Sequence, residues 1–203
     1  MLDKALLKHL KPTLSKLAII LIKAGISANT TSLIGFVFGI IAACLVGFGY
    51  FLWALLFFIF NRILDGLDGA IARETHPTHL GAFLDIVLDF IIYSSVPFAF
   101  AIHDQDNSFV ACFLIFSFIG TGTSFLAYGI IYEQMQKKYI KPNREKGFYF
   151  HGGFIEGSET ICFIVLMLLF PSLFTIIGVL FGFLCWCTTV HRIYSGWHDF
   201  SLK

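Results

Sequence analysis

Four aspartates carry the chemistry open to this sequence. They stand in two stretches, Asn61-Arg62-Ile63-Leu64-Asp65-Gly66-Leu67-Asp68-Gly69-Ala70-Ile71-Ala72-Arg73 and Gly81-Ala82-Phe83-Leu84-Asp85-Ile86-Val87-Leu88-Asp89. Asp65 and Asp68 are three apart, Asp85 and Asp89 four apart, so on helices each pair shares a face. Carboxylates in or near a hydrocarbon layer are costly and mark functional sites. Four of them at close quarters repel unless a cation binds among them. Oxygen ligands without clustered histidines or thiolates favour Mg²⁺ or Mn²⁺. At about 100° per residue, Gly69, Ala72 and Arg73 lie on or beside the Asp65/Asp68 face, and Gly81 lies beside Asp85. Gly66, Gly69, Ala70 and Ala72 keep the helix wall low, so a bulky polar group can approach the backbone. Arg73 is within reach of a phosphate.

These residues alone leave three readings. The acids could hold metal for phosphoryl chemistry, serve an ion- or proton-coupled small transporter, or form buried salt bridges with Arg62 and Arg73. Two cations cannot neutralise four acids, which weighs against the salt bridges. The acids also gather at one membrane face and form no relay through the bilayer centre, which weighs against transport.

The elements that position them are membrane helices. Of 203 residues, 57% are hydrophobic, 13% are charged and 25 are Phe, and the mean hydropathy is +0.81. A soluble domain carries about 25% charged residues. The apolar excess is accommodated when the outer surface faces lipid. No Lys, Arg, Asp or Glu occurs among the 38 residues from Ala24 to Asn61. As one helix that run would measure about 57 Å against a hydrocarbon core of about 30 Å. It must fold back, and Gly47-Phe48-Gly49 is the place.

The expected architecture is an all-α integral membrane protein of six transmembrane helices, preceded by an N-terminal amphipathic interfacial helix. The spans are predicted near 29–46, 51–72, 80–102, 108–132, 154–170 and 173–189. The short connection Glu74 to Leu80 makes the two acid-bearing helices an antiparallel pair. Residues 1–203 form a single membrane domain, with the interfacial segment at 1–24 and the bundle at 29–190. In the first segment Leu2, Leu6, Leu10, Leu14 and Leu17 recur at helical spacing against Lys4, Lys8, Lys11, Lys16 and Lys23. That pattern suits the surface of an anionic membrane, with an interruption expected near Pro12. The apolar stretch Leu17–Ile22 is too short for the core of a signal peptide.

All 14 basic residues fall at the termini, at one end of the spans, or between residues 133 and 153. The loops at 47–49, 103–107 and 171–172 contain none. The positive-inside rule therefore places both termini and the acid site in the cytoplasm. The net charge of +1 has no basic stripe suited to nucleic acid. Cys44, Cys112, Cys162, Cys185 and Cys187 lie inside apolar runs and read as packing residues.

The arrangement Asp65, Asp68-Gly69, Ala72-Arg73, seven residues, Gly81, three residues, Asp85, three residues, Asp89 resembles the signature of the CDP-alcohol phosphatidyltransferase family. The gap between Arg73 and Gly81 is one residue shorter than the usual pattern. Ile26-Ser27-Ala28-Asn29 resembles the segment that commonly precedes the family's first span, with Ser32 near a Thr that often follows it. The segments Asn61 to Asp89 and Gly152 to Glu159 are similar to a small bacterial inner-membrane branch whose acceptor the resemblance leaves open. The resemblance implies transfer of a phosphatidyl group from CDP-diacylglycerol to a small alcohol or phosphorylated alcohol, with release of CMP. It further implies Mg²⁺ or Mn²⁺ held by Asp65, Asp68 and Asp85, with Asp89 as general base or second-metal ligand. Gly69 and Ala72 would line the cytidine site, and Arg73 and Asn29 would contact phosphate or nucleotide.

Membrane lipids are expected neighbours. A homodimer is implied by the resemblance, with Gly120-Thr121-Gly122-Thr123, Gly178 and Gly182 as close-packing surfaces. Lys137, Lys138, Lys141, Arg144 and Lys146 form a basic cluster suited to headgroups or to a phosphorylated acceptor, of which glycerol 3-phosphate is favoured. Glu156 and Glu159, with His151, Gly152, Gly153 and Gly157 about them, either serve the acceptor or pair with Arg192. Ser117, Thr121, Thr123 and Ser124 could bind a polyol or bond their own helix.

Overall fold

The computed structural model describes residues 2–139 and 155–201, with side chains described for 11–135 and 155–201. Among the described residues the chain is entirely helical. The long helices are α1 (Leu2–Lys23), α2 (Ala28–Gly47), α3 (Phe51–Glu74), α4 (His79–His103), α5 (Ser108–Tyr139), α6 (Gly157–Leu169) and α7 (Phe174–Ser201). Short 3-10 turns at Gln105–Asn107 and Pro171–Leu173 join α4 to α5 and α6 to α7.

Each helix boundary near the acids has a local cause. The Ser27 hydroxyl accepts from the Thr30 N–H at 3.2 Å and caps α2, while Thr78 accepts from the Gly81 N–H at 3.0 Å and caps α4. Helix α1 ends where Gly25 takes φ +76°, letting the Ile26 N–H reach the Leu21 carbonyl at 3.0 Å. Gly49, at φ +81°, makes the predicted reversal between α2 and α3.

The expected α2–α3 fold-back and the acid-bearing α3/α4 pair are both present. Among the described residues four helices, α2, α4, α5 and α7, are long and apolar enough to cross a membrane, against the six predicted. Helix α3 has the length, with 24 residues, but its second half carries Arg62, Asp65, Asp68, Arg73 and Glu74. Helix α6 has only 13 residues, about 20 Å at 1.5 Å per residue. It begins later than predicted because Glu156 and Glu159 form a reciprocal capping box at its start. Helix α7 instead continues past the predicted end at 189, through Arg192 and Tyr194 to Ser201.

Helix α1 also departs from expectation, since it runs unbroken through Pro12. A proline removes one backbone bond, and the helix beyond it is held by packing. Ala18, fully buried, sits with Leu14, Leu21 and Ile22 against Ala70 and Ile71 of α3. A Cβ at Gly66 would lie 3.4 Å from Leu14. Gly66 and Ala70 therefore face α1 and not the acids. One residue of helix turns a side chain by about 100°, which carries Gly66 off the Asp65 face.

The apolar core runs from Phe58 and Ile92, beside the acid site, through the rest of the bundle. Phe51, Phe100 and Phe174 stack in series with centroids 5.5 and 4.2 Å apart, tying α3, α4 and α7 together. Phe163 stacks on Phe181 at 4.6 Å, joining α6 to α7. Ile176, Phe183, Val190 and Trp197 remain exposed, as a lipid-facing surface requires. Of the five cysteines only Cys185 is buried, so the packing role expected for all five holds for one.

The small residues read as candidate dimer surfaces are spent inside the chain. Gly178 faces Val110 and Leu114, Gly182 faces the Phe113 ring, Gly120 faces Thr189 and Gly122 faces Phe90. They let α7 and α4 approach α5 closely. Ser117, Thr121, Thr123 and Ser124 bond carbonyls of their own helix. Replacing Gly182 by Val should lower the thermal midpoint in detergent, through an overpacking cost of about 1–3 kcal/mol. At Gly129 an added Cβ meets nothing within 4 Å, so Gly129→Ala should be neutral or raise the midpoint. Equal melting of Gly182→Val and the parent would contradict this α5–α7 packing.

Candidate active site

The acids converge where α2, α3 and α4 meet. Ligand oxygens of Asp65, Asp68 and Asp85 all lie within 4.8 Å of one another. Asp68 is buried, Asp65 is half-buried and Asp85 is exposed, so the cluster opens to one side. A cavity of about 10 Å³, lined by these three with Asp89, Ser32, Gly35 and Asn61, runs between the helices. That volume is the room one water-sized species needs. A hard divalent cation coordinated by oxygens fits such a donor set.

Asp89 stands apart from that cluster. Its Oδ1 accepts from Arg62 Nη2 at 2.8 Å, and its Oδ2 accepts from the Tyr93 hydroxyl at 3.1 Å. Arg62 also reaches Asp65 Oδ2 at 3.5 Å from Nη1, and the same nitrogen donates to the Tyr93 oxygen at 2.8 Å. Its Nε donates to Asn61 Oδ1 at 2.7 Å, and Asn61 Nδ2 donates to the Gly35 carbonyl at 2.8 Å. The Arg62 guanidinium lies 5.8 and 5.1 Å from the ring centroids of Phe58 and Tyr93. Every polar bond of this buried cation is thus made within the α2–α3–α4 unit.

The remaining predicted residues sit around the open side. The Arg73 side chain folds back over Gly69, where a Cβ would come 3.3 Å from Arg73 Nη1. Ala72 is half-buried next to it. Asn29 comes from the first turn of α2, and a Cβ at Gly81 would lie 3.3 Å from its Oδ1. Ser32, one turn further along α2, lines the cavity beside Asp68. All the predicted positions therefore fall on the three elements that enclose the acids.

Tyr93 and the structural role of Asn61 escaped the sequence reading. Tyr93 lies one turn beyond Asp89 on the same face, a spacing that could have signalled it. No spacing rule brings Asn61 to Gly35, 26 residues away. Glu159 accepts from the Glu156 N–H at 3.0 Å and from the Ser158 hydroxyl at 3.2 Å, which is a capping role. Arg192, buried in α7, donates to the Thr121 carbonyl at 3.0 Å and lies 5.4 Å from the Phe125 ring centroid. His151, Gly152, Gly153, Lys141, Arg144 and Lys146 lie outside the described residues, as do the side chains of Lys137 and Lys138.

A family model described as CDP-alcohol phosphatidyltransferase matches residues 26–194. The chain belongs to the CDP-alcohol phosphatidyltransferase family. It is 43% identical over 199 residues to the inner membrane protein YnjF of Escherichia coli (strain K12), across 97% of this chain and 96% of that protein. The fold is similar to that of the Mycobacterium tuberculosis phosphatidylinositol phosphate synthase. The structure described with CDP-DAG bound gives a TM-score of 0.67 at 21% identity, covering 91% of this chain and 93% of that one. The structure of the same enzyme in complex with manganese and citrate gives a TM-score of 0.67 at 21% identity, covering 91% and 88%.

The chain is accordingly an enzyme of that family with several helices long and apolar enough to cross a membrane, a transferase that passes a phosphatidyl group to an alcohol with release of CMP. The transporter reading is thereby set aside. Asn61 offers a test of the site's framework. Asn61→Leu leaves Arg62 Nε without its partner and removes the side-chain bond to the Gly35 carbonyl, at a cost of about 1–3 kcal/mol. A clear fall in thermal midpoint is expected, and an unchanged midpoint would show that this amide does not brace the helices.

Proposed function

We propose that the enzyme uses CDP-diacylglycerol as donor, that Asp65, Asp68 and Asp85 hold a divalent cation, Mg²⁺ or Mn²⁺, and that Asp89 is the general base. One observation carries the reading. Ligand oxygens of three carboxylates lie within 4.8 Å of one another, while the fourth, lining the same cavity, has its oxygens bonded by Arg62 and Tyr93. Asp85 and Asp89 nonetheless lie on one face of α4, four residues apart, so the base stands beside the diphosphate site.

The acceptor oxygen attacks the phosphorus that bears the diacylglycerol. The bond from that phosphorus to the CMP oxygen breaks, and the acceptor proton passes to Asp89. The cation, when bound, supplies positive charge against the diphosphate and the departing CMP. Arg73 and Asn29 flank the open side as phosphate or nucleotide contacts, and Gly69 and Ala72 leave room for cytidine. For the acceptor we infer a phosphorylated alcohol, with glycerol 3-phosphate first. Its support is the basic run of residues 137–146 together with the buried Arg192 guanidinium.

The topology we infer counts α3 and α6 as crossings, which makes six, with α1 on the cytoplasmic surface. Leu17, Ile19 and Ile20 are exposed on α1 beside the exposed Lys11, Lys16 and Lys23, as an interfacial helix requires. The whole chain then acts as one membrane domain. A homodimer would have to use lipid-facing surfaces, because Gly120, Gly122, Gly178 and Gly182 are occupied within the chain.

Three measurements test these assignments. Chelation by EDTA should abolish CMP release from CDP-diacylglycerol and Mg²⁺ or Mn²⁺ should restore it; full turnover in EDTA would remove the metal. Asp89→Asn should nearly abolish transfer while keeping measurable binding of metal and CDP-lipid, whereas Asp68→Asn should weaken both. Equal loss of binding in the two variants would make Asp89 chiefly a metal ligand. Cysteines placed at Gly49, Asn107 and Ser172, in a background without native cysteines, should react with impermeant thiol reagents outside the cell. Labelling of Lys141→Cys in intact cells would reverse the orientation.

A further inference from the structure

We propose that Arg62 occupies the place of a second cation, so that the carboxylate cluster binds one divalent ion per chain, on Asp65, Asp68 and Asp85. The inference rests on the metal-dependent reading above and concerns what limits the number of ions.

Four clustered carboxylates are enough to hold two metals, and paired-metal sites place their ions about 3.5–4 Å apart. In this chain the position between Asp65 and Asp89 is already filled. Arg62 Nη2 is 2.8 Å from Asp89 Oδ1, and Nη1 is 3.5 Å from Asp65 Oδ2. A divalent ion bridging those two acids would lie against a permanent positive charge. The second oxygen of Asp89 is also engaged, by the Tyr93 hydroxyl.

The guanidinium is not held by the acids alone. Nε is bonded to Asn61, which is itself bonded to the α2 backbone at Gly35. Nη1 is bonded to the Tyr93 oxygen, and the rings of Phe58 and Tyr93 flank the group. Its side chain is 9% exposed. These neutral partners would keep Arg62 in place when a cation enters among Asp65, Asp68 and Asp85. Arginine suits the role because its planar fork serves several acceptors at once and its charge is permanent. Tyr93 completes the arrangement, since its oxygen accepts from Arg62 while its hydrogen goes to Asp89.

The count of ions can be read without turnover. Purified full-length protein in detergent is titrated with Mn²⁺ and followed by electron paramagnetic resonance and equilibrium dialysis. One tight Mn²⁺ per chain is expected, with the spectrum of an isolated ion at saturation. Arg62→Met keeps a stem of similar bulk and removes the charge, and should admit a second tight ion with dipolar broadening between the two. Arg62→Lys keeps a positive charge and should stay at one ion, which preserves the test if the Met variant does not fold. Two tight ions in the parent protein, or one ion still in folded Arg62→Met, would overturn the role of Arg62. Absence of any tight Mn²⁺ in the parent would instead remove the metal reading on which the inference rests.

Discussion

The repulsion among four carboxylates at a membrane helix junction is the constraint to which this structure answers. Two like charges about 4 Å apart repel by roughly 4 kcal/mol at an effective dielectric near 20. The Arg62 guanidinium is the buried cation set against that repulsion, with Asp65 and Asp89 as its ionic partners. Without a cation there, Asp89 would be pushed away from Asp85 and the shared face of α4 would lose its purpose. A buried guanidinium is itself expensive unless its donors are used. Asn61, Tyr93, Asp65 and Asp89 use them.

That requirement propagates into the backbone. For Asn61 to serve Arg62 with its oxygen, its nitrogen needs a partner, and the Gly35 carbonyl supplies one. The carbonyl is reachable because α2 and α3 touch closely. A Cβ at Gly35 would come 3.1 Å from Leu64 Cβ. Farther along, Gly39 lies against Ile92 and brings α4 to α2. The glycines of α2 therefore set the helix spacing on which the polar network depends. Helix α1 braces the opposite side of α3 through Ala18, Ala70 and Ile71, so the acid-bearing end is enclosed behind and open in front.

The two halves of the bundle divide the work. Aromatic stacking through Phe51, Phe100 and Phe174 fixes the end remote from the acids. Polar bonds fix the other end, where Tyr128 donates to Asp199 at 2.7 Å and Arg192 holds the α5 backbone. Apolar packing tolerates small displacements, whereas hydrogen bonds demand distances good to a few tenths of an ångström. The chemistry is built on the more exacting end.

Much of this was legible in the sequence because its signals are local. Spacings of three and four identified the shared faces of Asp65/Asp68 and Asp85/Asp89, and charge-free runs bounded by glycines located α2, α3 and their turn. The same locality explains the errors. Gly66 was read as part of the acid wall by composition, but helical rotation turns it toward Leu14 of α1. Gly178 and Gly182 have the spacing of a packing face, and spacing does not say which helix they pack on; tertiary structure gives them to α5. Asp89 is set apart from the other acids by the family resemblance alone, and spacing does not show that Arg62 and Tyr93 hold both its oxygens. Residue types and period determined that four carboxylates would gather at one membrane face. That Asp89 meets the Arg62 guanidinium and the Tyr93 hydroxyl was decided by side chains 27 and 31 residues from Arg62 in sequence, and only folding sets such distances.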